Sequence, residues 1–160
     1  MNAENIIQSV VLEVENFNES IRQTLDEKNI NNTREAANSL RVQYGTDFVR
    51  SIGIFYLEFL DRGRYPGSYA PFNPISKWVS TKLGITDEKE NKQATYAIIK
   101  KIHNLGTKIY RDNRNGIELD DKILELKIAV NESIKSSIKI EITRRLDEFK
   151  KIYESKKLTI

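Results

Sequence analysis

The chain has 160 residues, enough for one domain, with 39% hydrophobic and 31% charged residues and a formal net charge of +3. It has no cysteine, which excludes disulfides, thiolate metal sites and a cysteine nucleophile, and its single histidine leaves too few parts for a zinc site or a histidine-dependent triad. The first residues carry acid rather than a basic leader, and no apolar run approaches ~18 residues, so the reading is a soluble protein made in the cytoplasm, with no membrane span.

From Ala3 to about Glu27 the residues Ile7, Val10, Val14, Phe17, Ile21 and Leu25 step by three and four, the repeat of one helical face. The Asn-rich stretch from Lys28 to Thr33 ends that helix, and Thr33 with Glu35 and Ala36 opens a short second one. Leu40, Val42 and Tyr44 then alternate with polar residues, Gly45-Thr46-Asp47 supplies turn chemistry, and Phe48 to Ile52 returns, which predicts a small antiparallel hairpin. Ile54 to Leu60 is almost continuously apolar and is read as a short buried helix.

All three prolines lie between Asp61 and Pro74, together with Tyr65, Tyr69 and Phe72, so this stretch is an ordered loop and not a linker. Pro74 suits the first turn of a helix bearing Ile75, Trp78, Val79 and Leu83, closed by Gly84. Asp87 caps the next helix, whose expected buried positions are Ala94, Ala97, Ile98, Ile102 and Leu105, with Gly106 at its end. Trp78, Ile98 and Ile102 are taken as structural core.

After an irregular piece through Asn113-Arg114-Asn115-Gly116, a long helix is expected from about Leu119 to Tyr153. One face would carry Ile123, Leu126, Val130, Ile134, Ile138, Ile142, Leu146, Phe149 and Tyr153. A helix of that length overhangs a domain of this size. The competing reading of Ile138 to Ile142 is a strand, because apolar and charged residues alternate there.

Charge is unevenly spread. Residues 1–27 hold six acids and one base, whereas residues 62–114 hold eleven bases and four acids. Such polarity serves head-to-tail contact between copies or contact with nucleic acid, and it is also compatible with an ordinary solvated surface.

Tyr56-Leu57-Glu58-Phe59-Leu60-Asp61-Arg62-Gly63-Arg64-Tyr65-Pro66-Gly67, followed by Pro71-Phe72-Asn73-Pro74 and Trp78, resembles the tail-completion or head-to-tail connector proteins of long-tailed phages. In that family an aromatic helix runs into an Asp-x-Gly-Arg-x-Pro-Gly turn and then a proline-led helix with a Trp. Tyr96 to Ile102, followed by Gly106-Thr107, is similar to the family's Ala-rich helix with a basic centre and a Gly-Thr end. Here Pro71-Phe72 stands where the family commonly has two prolines, and Lys108-Ile109-Tyr110-Arg111 replaces a small, Gly-containing continuation.

The resemblance implies a structural virion subunit, without catalysis or cofactor, that forms a ring with copies of itself between portal, adaptor or tail proteins and passes through the host cytoplasm during assembly. Asp61, Arg62, Gly63, Arg64, Pro66 and Gly67 are the candidate subunit-interface residues. Arg62 and Arg64 either dock a neighbouring subunit or a DNA phosphate, or brace their own turn through Asp61 or Glu58. Lys100, Lys101, Lys108 and Arg111 are the candidates to face packaged DNA, and the runner-up function is a small basic nucleic-acid-binding module.

The expected architecture is α+β and mainly α, a small antiparallel hairpin packed by several helices, with a long helix at each end. The chain is expected to form a single virion-assembly domain over 1–160, made of a helix over 1–27, a motif-bearing core over 38–112 and a long helix over 117–154.

Overall fold

A computed structural model describes residues 3–30, 34–112 and 116–157, with side chains over 4–30, 34–112 and 116–154. Thr33 as a helix opener, and the irregular Asn113-Arg114-Asn115, lie outside the described residues. The fold is mainly helical, with one two-stranded antiparallel sheet and a long helix at each end. Packing divides the chain into two compact units interleaved in sequence: 1–19, 41–52 and 122–160 in the first, 20–40 and 53–121 in the second.

Helix α1 spans Ala3–Glu27. Its stripe behaves as the spacing predicts, with Val14, Ile21 and Leu25 buried and Ile7, Val10 and Phe17 half-buried. Asn18 is buried on the same face because Ser51 of the hairpin donates to its Oδ1 at 2.5 Å, which answers a polar group that would otherwise lose its water. That hairpin pairs β1 (Arg41–Tyr44) with β2 (Val49–Ile52), Arg41 opposite Ile52 and Tyr44 opposite Val49, and Gly45 N donates to Phe48 O at 2.9 Å to close the turn.

Helix α7 (Leu119–Lys157), which belongs to the first unit from Lys122 on, is continuous, so Ile138 to Ile142 is helical and not a strand. Ser137 Oγ donates to Ser9 Oγ at 3.2 Å, which sets α7 beside α1 at that level. Ile123, Leu126, Val130, Ile134 and Ile138 are half-buried, and among the described side chains Glu141 is the last of α7 with any cover; 142–154 are exposed throughout. Glu141 accepts from Arg144 and from Arg145, each at 2.9 Å, and these two guanidiniums pull its carboxyl down to about 2.

In the second unit, α2 (Glu35–Ser39) buries Ala36 and Ala37, and Arg22 donates to the carbonyls of Ala37 (3.2 Å) and Leu40 (2.7 Å) at its end. Next come α3 (Leu57–Asp61), α4 (Phe72–Leu83), α5 (Glu88–Leu105) and α6 (Lys108–Arg111), a short helix that the sequence did not signal. Asp87 caps α5 by accepting from Glu90 N at 2.9 Å, and Gly84 ends α4 in the left-handed region, as read from the sequence.

The core of α4 and α5 needs correction. Trp78 is 40% exposed and Ile98 and Ile102 are only half-buried, whereas the buried positions are Val79, Asn91, Thr95 and Ile99. The face is turned because Asn91, not an apolar residue, holds the two helices together. Ser76 Oγ donates to its Oδ1 at 2.6 Å, and its Nδ2 donates to the carbonyls of Ser76 (3.2 Å) and Ile85 (2.9 Å). A buried amide satisfied this fully costs little and fixes the register of α4 on α5. Helix α4 also starts two residues before Pro74, on the extended backbone of Pro71, so Pro74 falls in its first turn.

Candidate functional site

The two stretches that carry the family resemblance meet in the second unit. The loop after α3 lies across the C-terminal end of α5 and is tied to it by backbone. Gly67 N donates to His103 O at 2.7 Å and Thr107 N donates to Arg64 O at 3.0 Å, while the Thr107 hydroxyl accepts from Arg64 N at 2.9 Å. Gly63 sits at φ 74°, and a Cβ there would stand 2.4 Å from Thr107 Oγ1 and 2.6 Å from Tyr110 N. Glycine is therefore required at 63 twice over, by conformation and by space. Gly106 is similarly pressed, 2.7 Å from its notional Cβ to Arg64 O.

Asp61 has a different job from the one expected. It is 3% exposed, and its Oδ1 accepts from Ile117 N (3.1 Å) and Leu119 N (3.2 Å), while its carbonyl accepts from Gly116 N at 2.6 Å. A carboxylate from α3 thus caps the start of α7, where unpaired N–H groups and the positive end of the helix dipole both favour an anion. Of the six residues expected at a subunit contact, Asp61 and Gly63 are buried and committed to the fold. Arg62 pairs with Asp120 at 3.3 Å on an exposed surface, and Pro66 and Gly67 are exposed.

Arg64 braces neither Asp61 nor Glu58. Its guanidinium lies over the Phe59 ring, 4.2 Å from the centroid, and among the described residues it has no carboxylate partner. It borders an apolar groove of about 590 Å³ formed by Phe55, Tyr56, Phe59, Pro74, Ile75 and Trp78, with Lys77 and Glu35 the other charged residues at its wall. This explains the exposure of Trp78 and Phe55, which face the groove instead of the core. Burial, reinforced by a Glu35 carboxylate that accepts the phenol's hydrogen bond, raises the Tyr56 pKa. The loop also displays Tyr65, tilted against Tyr110 (ring centroids 4.8 Å apart), and Tyr69, edge-on to His103 (3.9 Å).

The four residues expected to face DNA are all exposed, but they are not equivalent. Lys100, Lys101 and Lys108 are solvated, whereas Arg111 donates to Gly106 O at 2.7 Å and closes the end of α5. Among the described residues there is no cluster of three or more metal-ligating side chains, and no helix is long and apolar enough to cross a membrane. Sequence reasoning missed Thr107 as the hinge of the site and Phe59 as the platform for Arg64; the Gly106-Thr107 pair was the available signal for the first. No family model, curated protein or solved structure matches the chain.

Proposed function

We propose that this chain is a structural subunit of a tailed-phage virion, from the neck or tail-completion region, which works by assembling with copies of itself into a ring against portal, adaptor or tail proteins. The observation that supports the reading most is the union of the two motif stretches in one place. Residues separated by 36 to 43 positions, His103 with Gly67 and Thr107 with Arg64, form a single braced corner. Its inward groups are consumed by the fold, while Tyr65, Pro66 and Tyr69 are exposed and the half-buried Arg64 borders an apolar groove. A rigid loop that displays aromatic residues and an arginine without an ion-pair partner among the described residues is suited to protein contact, since little freedom is lost on docking.

The test is Arg64→Ala. In the free chain this removes a stack on Phe59 worth about 0.5–1 kcal/mol, so the melting temperature should fall by less than about 4 °C. In an assembly it strips an arginine from every subunit contact, at about 1–3 kcal/mol each, and incorporation into particles should fall steeply. Thermal melts of the free chain and quantification of the subunit in purified particles read the two effects. A variant that is markedly less stable yet still incorporates normally would show the loop to be scaffold and remove the basis for the assignment.

A further inference from the structure

From Ile142 to Glu154 the side chains of α7 are exposed, yet the sequence remains that of a packing helix. Ile142, Leu146, Phe149 and Tyr153 are 54, 56, 68 and 62% exposed, and their spacing of four, three and four puts them on one stripe. The segment also reads alike from both ends. Ile142-Thr143-Arg144-Arg145-Leu146-Asp147 is mirrored by Glu148-Phe149-Lys150-Lys151-Ile152-Tyr153, so that apolar answers apolar, the two basic pairs answer each other and acid answers acid about a centre between 147 and 148. Only Thr143 against Ile152 breaks the match.

We infer that this end of α7 is a self-association surface, on which a second copy of the chain lays the same segment antiparallel about a two-fold axis. In that arrangement Ile142 of one copy faces Tyr153 of the other and Leu146 faces Phe149, so four apolar layers close with no residue left over. The flanking charges select the direction. On the helix, Arg145 and Lys150 border opposite sides of the stripe. A parallel pair would set Arg145 of one copy against Lys150 of the other, whereas the antiparallel pair keeps them on opposite flanks and brings Lys150 toward Asp147, and Arg145 toward Glu148, of the second copy. The covered area is on the order of 500 Å² per copy, the lower end for a specific interface, so the dimer is a reversible one. The inference concerns the free chain and does not rest on its place in a virion.

The absence of cysteine makes the test direct. Ile142→Cys and a size-tagged Tyr153→Cys are prepared as full-length chains, and both positions are exposed, so folding is not at risk. Oxidised as a mixture, they should give a mixed disulfide dimer at least about fivefold more abundant than either like-with-like product, because the two cysteines face each other only in the antiparallel pair. Adding Leu146→Glu to both chains should abolish that product. Like-with-like dimers in excess would mean parallel pairing and overturn the inference. So would a wild-type chain that sediments as a monomer up to roughly 200 µM, which would assign the stripe to a different protein.

Discussion

Replacing Gly116 by alanine should unfold or severely weaken the second unit. A Cβ at this position would fall 1.7 Å from the Leu60 carbonyl oxygen, 2.8 Å from its carbon and 3.0 Å from Asp61 O, all of them backbone atoms of α3 that cannot swing aside. The demand here is for space, and Gly116 N also donates to Asp61 O at 2.6 Å, so the strand of chain cannot retreat without giving up that bond. The expected loss exceeds about 3 kcal/mol, the upper range for overpacking, and lowers the melting temperature by roughly 6–12 °C or more. Gly67→Ala is the control. Nothing lies within 4 Å of a Cβ there, and only its φ of 99° resists the change, so the cost should stay near 1–2 kcal/mol. Urea titrations of both variants measure the difference, and equal losses would show that the contact between the 116 segment and α3 is not as close as described.

Asp61→Ala carries the second large effect. The substitution strands the N–H groups of Ile117 and Leu119 at the start of α7, in a place where Ile117 is fully buried and water has poor access. Two orphaned donors and the loss of a charge-assisted cap should together cost about 2–4 kcal/mol. Asp61→Asn keeps an acceptor oxygen in the same position and should recover at least half of that. Chemical denaturation of the two variants separates the roles. If Asn were as damaging as Ala, the negative charge at the helix start, and not the pair of hydrogen bonds, would be what Asp61 contributes.

How much of this was legible beforehand follows from what each feature depends on. Both terminal helices, the hairpin and the caps at Asp87 and Gly84 depend on residues within a few positions of one another, and their periodicities and turn residues announced them. Asp61 has its partners 56 and 58 residues away, and nothing in a local pattern distinguishes a carboxylate that caps a distant helix from one that sits on a surface. On α4 the reading included Val79, which is buried, but wrongly added Trp78, and on α5 it chose Ile98 where Ile99 is buried, because hydrophobicity ranks Trp and Ile above Asn and Thr, whereas the hydrogen bonds of Asn91 decide which side faces inward. For α7 the stripe was read correctly along its whole length, but periodicity cannot say where a stripe stops being covered, and cover ends at Glu141. The loop was recognised as ordered and motif-bearing; that its two halves of the motif embrace across α5 required the third dimension.

The ties between the loop and the end of α5 also set how the second unit opens. The amides of Gly67, Thr107, Gly116, Ile117 and Leu119 are bonded to partners 36 to 58 residues away, and four of the five lie outside any regular element. Four of them cannot be released by fraying of a helix end; those of Gly67 and Thr107 must wait until the loop after α3 parts from the end of α5, and those of Gly116, Ile117 and Leu119 until α3 parts from the 116–119 segment. Their hydrogen–deuterium exchange should therefore be slow and nearly uniform, while in chain dilute enough to be monomeric the amides from 142 to 157, though helical, exchange early and in graded order toward the C-terminus. Irregular chain would be the most protected part of the molecule, and its longest helix would end in the least protected.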